Sequence, residues 1–564
     1  MANRTSLRPL TVVLAILGAA VLAGCGATNT PAPVAPAGDV SGLASVVTPK
    51  VNRLVFALEL PTRESNELRM LQSQTVWQLG PMYEYLIGLN AATGKQEPQL
   101  ATEWKLEPDG QSFRFKLRTG VPFQKGGGQF GADDVITTWK EVAKEDSLQG
   151  STPLFRTAIK AIEKVSEQEV LFRLGAPTAE LLPSLTQERS GFEIMSNAAF
   201  TAKGAATMTG EPIAGTGPYQ FAERKQSSSV RFERAPGQHW RAKPEFPEME
   251  FRFMKEPSTR LAALLTGEAQ FADLPADLQT QALTKPEFKV FTGKAPSNRV
   301  FVQLHGVYYK DASNPNSGFI YPDTPMADVR VRRALSKAVN RAELNKAFFG
   351  GKGLPMYLNN FSPTLLGWNP DWEKRFADEY GYDQAKAKQL LADAGYGPNN
   401  PLTTVMMVLP VDGIPNGLDM AEAIATYWTA IGIKAELQTI DSNQVTTLTR
   451  AAKFNNHTRI RATSSNQWTG TSTYFSGTKA TRSGGIGIPA ADEALNQAVS
   501  TLDEAKQAEY LLKAGNLWYD SHTDVPLFLL PPSIVANGAI VADYVFPGNV
   551  SGNWSHLETI RAAR

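Results

Sequence analysis

The chain has 564 residues, and because hydrophobic cores stop growing at roughly 250–300 residues, a chain of this length divides into lobes, here two or three. Hydrophobic residues make up 42% of it and charged residues 20%, with 45 Gly and 37 Pro, a globular composition that excludes collagen-like, coiled-coil and disordered chains. Lys plus Arg (56) and Asp plus Glu (55) leave a net charge of +1, so there is no bulk field for polyanions, which argues against nucleic acid as a partner.

Arg4 and Arg8 form a positive start, Leu10 to Ala23 is uncharged and apolar, and Leu22-Ala23-Gly24-Cys25 follows, the order of an export signal. These residues resemble a bacterial lipoprotein signal with its lipobox. The resemblance implies that Cys25 becomes the lipidated N-terminus after cleavage and anchors the protein outside the cytoplasmic membrane. The apolar run of about 14 residues is short of the roughly 20 that span a bilayer. Cys25 is also the one cysteine of the chain, so internal disulfides and thiolate-rich metal sites are excluded. Residues 26–49 are small and proline-rich, an extended tether without core-forming side chains.

In the body, Leu54 to Leu58 is a continuous apolar run and reads as a buried strand, while Ser112 to Arg118 alternates as a half-buried one does. After Gly131 a helix starts with Asp133 and Asp134 at its positive end and Val135, Ile136 and Trp139 on one face. Asp328 is placed to cap a helix with Val331, Ala334, Leu335, Ala338 and Val339 inward and Arg330, Arg332, Arg333 and Lys337 solvated. A second such helix runs from Asp383 to a Gly395 stop. Thr403–Leu409, Asp419–Ile431 and Ile433–Leu437 read as strand, helix and strand, hence a parallel crossover. The polar stretch 455–488, which holds Trp468, Tyr474 and Phe475, is expected to be a functional loop. Trp77, Trp104, Trp139 and Trp428 sit in apolar patterns and are assigned to cores.

Catalytic patterns are weak. Gly126, Gly128 and Gly131 match G-x-G-x-x-G, but Asp133 and Asp134 stand where a pyrophosphate would sit, and no buried strand precedes them. No phosphate loop, nucleophile elbow or zinc helix occurs, and the five histidines lie at no ligand spacing. No cofactor or metal is implied. A pair of carboxylates distant in sequence keeps a secreted hydrolase as a minor alternative.

Several phrases in one order, Tyr83-Glu84-Tyr85-Leu86, Pro98 to Trp104, Asp109 to Arg118, Gly120-Val121-Pro122-Phe123, Gly215-Thr216-Gly217-Pro218-Tyr219, Asp328 to Leu335 and Tyr382 to Tyr396, resemble the extracellular solute-binding proteins of ABC importers, specifically the large peptide- and nickel-binding family. The resemblance implies an α/β, two-lobed periplasmic-binding-protein (Venus-flytrap) fold with an additional domain inserted in the first lobe. Lobe I would take 50–90, 215–325 and 528–564, the inserted domain 91–214 and lobe II 326–527. The expected function is capture of oligopeptides or another medium-sized polar solute, without catalysis, by a monomer that delivers it to the permease subunits of an importer at the outer face or in the periplasm. A docking or sensor module for a membrane receptor is a further rival.

Peptide binders of that family pin the ligand's amino group with an Asp in a Trp-x-x-Asp-Tyr phrase. The comparable stretch here is Arg461 to Trp468, in which Asn466 or Gln467 takes the place of the carboxylate; an amide lacks the charge for an ion-paired hydrogen bond to ammonium. Val300 to His305 stands where the family often has an Asn after an apolar strand, followed by an extra segment, Gly306 to Pro325. The expected ligand contacts are therefore Glu59, Gln303, His305, Arg461, Asn466, Gln467, Trp468 and Tyr474. Their amides and aromatic rings also suit an oligosaccharide, the alternative solute.

Overall fold

The computed structural model describes residues 48–564 apart from 62, 72–74, 176–177, 189–190, 205–209, 294–297, 410–416, 464–466, 479–483 and 547–553. Cys25, most of the tether and Asn466 lie outside the described residues. Three sheets of four or more strands organise the other described residues, beside two two-stranded ones. The first has seven strands in the order Phe288–Thr292, Ser533–Asn537, Phe271–Ala272, Arg53–Leu58, Glu248–Phe253, Ser229–Arg234, Tyr219–Lys225. The strand Arg53–Leu58 runs parallel to both neighbours, and its Leu54 to Leu58 run is apolar because both its faces are covered. Leu54, Phe56 and Leu58 enter one core, where Phe56 stacks on Phe271 at 4.5 Å; Val55 and Ala57 enter the other with Leu261 and Leu264.

The second sheet has the order Leu354–Pro355, Asp524–Leu530, Asn298–His305, His457–Thr463, Thr403–Val408, Lys434–Thr439. Its last two strands pair in parallel around the helix Gly417–Ala430, the expected crossover unit. Val300, Val302, Leu304 and Ile460 pack with Val331, Ala334, Leu335 and Trp428 on one side of it. The indole of Trp428 is fully buried and donates to the Leu335 carbonyl at 2.9 Å. Trp77, Trp104 and Trp139 are partly buried against the other cores. The third sheet, Ala101–Leu106, Ser112–Leu117, Glu169–Leu174 and Ile159–Ser166, is an antiparallel layer with its own core around Phe115, Phe155 and Phe172.

The chain passes from the first sheet to the second between Thr292 and Asn298 and returns between Leu530 and Ser533. The strand Asn298–His305 thus pairs in the second sheet, although it lies in the stretch expected for lobe I. Pairing with strands more than 150 residues away decides its place, and no local pattern reports that.

Helix starts follow the capping chemistry. Asp328 accepts from the Arg330 N–H at 2.8 Å and Asp383 from the Lys386 N–H at 2.8 Å. Arg332 and Lys337, expected to be solvated, are only 4% and 5% exposed. Arg332 donates to the carbonyls of Met326, Ala327 and Ser521, so a guanidinium serves as a cap for chain ends that lie far apart in sequence. The 126–131 glycines belong to a turn bridged by Pro122 and Gln129. The Gly131 N–H donates to Asp134 at 2.8 Å, so the protein's own carboxylate occupies that helix start. The 455–488 stretch is not a loop: it holds the strand His457–Thr463 and the helix Gln467–Tyr474.

Among the described residues, no helix is long and apolar enough to cross a membrane, and no cluster of three or more His, Cys, Asp or Glu is placed to hold a metal ion.

Candidate functional site

Alternation along two paired strands builds the site. In the register of Asn298–His305 with His457–Thr463, Phe301 stands opposite Arg461, Gln303 opposite Arg459 and His305 opposite His457. Residues two apart share a face, so while Val302, Leu304 and Ile460 fill the apolar core, the reverse face carries Arg299, Gln303, His305, Arg459 and Arg461. On the other side of Gln303 stands Asp524.

This face is polar and shielded. Gln303 is 2% exposed and accepts from the Arg459 Nε–H at 3.0 Å. His305 has no exposure; its Nδ1 meets the Tyr308 hydroxyl at 2.8 Å, and its Nε2 is buried without a hydrogen-bond partner among the described residues. Burial, with help from Arg459, His457 and Arg461, holds His305 well below the usual imidazole range, so it is neutral. Arg461 donates to the Tyr474 hydroxyl at 2.9 Å with its guanidinium 5.1 Å from that ring's centroid, and its Nε is buried without a partner among the described residues. Tyr474 in turn packs edge-on against Phe301. Burial and the neighbouring Arg461 push Arg459 down to about 9. Burial pushes Arg299 down to about 10 against the pull of Glu188, a residue that precedes the first sheet's Tyr219–Lys225 strand in the chain.

The structure thus brings Gln303, His305, Arg461 and Tyr474 together. Gln467 and Trp468 begin the helix that follows the strand. Gln467 is 6% exposed and donates to the Leu366 carbonyl at 2.7 Å. Trp468 packs into a core with Phe361, Phe475 and Trp518. Glu59 is exposed at the end of Arg53–Leu58, the carboxyl end of parallel strands where α/β sheets hold ligands; its charge acts on the buried Asp273, which burial pushes up first. The sequence reading missed Arg459, Arg299 and Tyr308. The signal that could have found the first of them was Arg459-Ile460-Arg461-Ala462, alternating charged and apolar residues inside a stretch expected to be a loop.

The sequence profile of the bacterial extracellular solute-binding proteins, family 5 Middle, matches residues 95–515. The chain is 28% identical over 380 residues to the Dipeptide-binding protein of Escherichia coli (strain K12), an alignment spanning 64% of this chain and 66% of that protein, just under two thirds. It is 27% identical over 395 residues to Di/tripeptide-binding protein 2 of Pseudomonas aeruginosa (strain UCBPP-PA14), spanning 66% and 69%. HbpA2 from Haemophilus parasuis has a similar fold, with a TM-score of 0.71 at 22% identity, covering 91% of this chain and 100% of that one.

Proposed function

The chain belongs to the family 5 bacterial extracellular solute-binding proteins, and from that premise we propose that it is the extracytoplasmic capture subunit of an ABC importer, taking short peptides or a similar polar solute between its lobes. The observation that carries this reading is the architecture: two sheet-bearing lobes joined where the chain crosses between Thr292 and Asn298 and between Leu530 and Ser533, with a polar, donor-rich face beginning at that crossing. A ligand held there touches both lobes only when they close, and differential affinity for the closed state drives closure. Capture needs no reacting group, so the solute leaves unchanged to the permease.

The relatives' peptide-binding names favour peptides over sugars. So does Trp468, whose ring is packed into a core and offers no open platform for a sugar face. The lipobox resemblance supports anchoring through Cys25; Cys25→Ser should move the protein from the membrane fraction to the soluble one, read by fractionation. Unchanged membrane association would remove the anchor.

By the family resemblance, Asn466 or Gln467 takes the place of the Asp that the family's peptide binders carry, and Gln467 is the one of the two among the described residues. Gln467→Asp is expected to raise affinity for Ala-Ala about tenfold over N-acetyl-Ala-Ala by supplying a charged partner for the free amine. The lost bond to the Leu366 carbonyl costs about 1–3 kcal/mol of stability. Titration calorimetry with the two peptides checks it: equal gains, or none, would take Gln467 out of the site.

A further inference from the structure

A cavity of about 180 Å³ opens where the turn after the strand Ser112–Leu117 meets the strand Tyr219–Lys225 of the first sheet. Every residue that lines it lies between Met82 and Phe221, so it belongs neither to the second sheet nor to the crossing between the lobes. Its outer wall is the helix Asn197–Lys203, which buries none of its residues and contributes Ala198, Ala199 and Ala202. Ser196 fixes that wall: its hydroxyl accepts from the Ala199 N–H at 2.9 Å and donates to the Gly127 carbonyl at 2.5 Å. Gly127 has no room for a side chain, since a Cβ there would meet that of Phe123 at 2.9 Å.

Gln124 lines the cavity and is 7% exposed. Its Nε2 donates to three carbonyls, Met82 at 3.2 Å, Gly217 at 2.8 Å and Tyr219 at 2.8 Å. That fixes the sense of the amide, because exchanging its O and N would set an oxygen against three oxygens. Oε1 is therefore an acceptor, and it is buried without a partner among the described residues, where buried acceptors ordinarily have donors. At the exposed end stand Lys125, Lys203 and Glu211. Both lysines pair with Glu211, Lys203 at 3.3 Å, and the bond to Lys125 holds that carboxyl below its usual range. Two ammonium groups thus share one carboxylate, and each keeps N–H donors to spare. Between these ends the walls are apolar, with Met82 and Phe221 among them.

An acceptor in need of a donor, surplus cations at the other end and apolar walls between them define a ligand by complementarity. The volume is below the roughly 300–1,000 Å³ of sites for drug-sized molecules, so the ligand is about one ring with short arms. The Phe221 ring and the Met82 sulfur favour an aromatic body. We propose that this cavity is a second ligand site, separate from the interlobe cleft, for a small hydroxyaryl carboxylate whose hydroxyl donates to Gln124 Oε1 and whose carboxylate is held by Lys125 and Lys203. The inference does not depend on which solute the cleft takes.

The purified full-length protein is titrated by calorimetry with para-hydroxyphenylacetate, with phenylacetate, which lacks the hydroxyl, and with para-hydroxyphenylethanol, which lacks the carboxylate. The first is expected to bind one per chain, with or without saturating Ala-Ala. It should bind at least about tenfold more tightly than the alcohol and about fivefold more tightly than phenylacetate. Lys203→Gln is expected to bring the ratio to the alcohol below about threefold, and Lys125→Gln provides the same reading should that variant not fold. Ala202→Trp, which fills the cavity from its exposed wall, is expected to abolish binding. Displacement by Ala-Ala, or binding untouched by these variants, would place the compound in the interlobe cleft and overturn the site. The absence of heat and of any shift in thermal midpoint with all three compounds would also overturn it, leaving the cavity to water. Equal affinities for the three would overturn the assignment of its two polar ends.

Discussion

Arg241→Met is expected to destabilise the protein by about 3–5 kcal/mol, the cost of removing one partner from a buried ion network. Arg241 joins two carboxylates from distant parts of the chain: its Nε donates to Glu84 and its Nη1 to Glu558 at 2.6 Å. Glu84 has no exposure, and Trp240 also donates to it at 2.9 Å. His239 and His556 flank the pair, at 3.7 Å from Glu84 and 3.5 Å from Glu558. Burial alone would push both carboxyls up, but Arg241 and the histidines outweigh it and hold both below the ordinary range, Glu558 far below. Without Arg241, two carboxylates remain in low dielectric with only neutral donors and the histidines near them. Urea unfolding at pH 8 should show the full loss. Near pH 5 the loss should shrink, because the stranded carboxyls can take up protons there. A loss below about 1 kcal/mol at pH 8 would mean that the network resembles an exposed ion pair in energy. The segment it fastens, Leu557–Thr559 and the strand Arg561–Ala562, closes the first lobe.

The second large effect is one of pH, at Asp524. This residue is 6% exposed and stands beside Gln303 on the inner face. Burial pushes its carboxyl from 3.8 up to about 7, with Asn359 and Arg341 pulling the other way. A folded-state value above the unfolded one means that the native state binds the proton more tightly. Its contribution is fully present below pH 3.8 and is lost as pH rises toward about 7. Asp524→Asn removes the titration. The variant should match the wild type near pH 4 and exceed it at pH 8 by a few kcal/mol, since a tenfold difference in proton affinity between the folded and unfolded chain corresponds to about 1.4 kcal/mol. Denaturant midpoints across pH 4–8 decide it: parallel curves for the two proteins would show that Asp524 is ionised in the fold throughout.

Much of the fold was legible because local chemistry and tertiary burial agree in those places. The apolar run at Leu54–Leu58, the Asp328 and Asp383 caps and the crossover between residues 403 and 439 each carry their own pattern. The stretch 455–488 failed for a physical reason. Thr458, Ile460 and Ala462 alternate inward as in any half-buried strand, but His457, Arg459 and Arg461 occupy the opposite face, and their polarity read as solvent exposure although Arg459 is buried and the other two are half-buried. Arg332 and Lys337 misled in the same direction, because carbonyl acceptors contributed by remote segments are invisible to a helical wheel. The strand Asn298–His305 could be seen as a strand, but its sheet could not, since that depends on pairing with residues 457–463 and 524–530. Within the site, the family resemblance pointed to the end of the His457–Thr463 strand, and Arg461 and Tyr474 do meet there. Arg459 lay one alternation deeper, where the resemblance has no phrase and only the parity of the strand could have found it.

The central claim is stoichiometric capture without chemistry. Native mass spectrometry of the purified protein incubated with an equimolar mixture of di- and tripeptides tests it most directly. The account predicts one intact peptide per chain, recovered uncleaved on denaturation. A bare chain at every peptide concentration, or the accumulation of cleaved products, would contradict it.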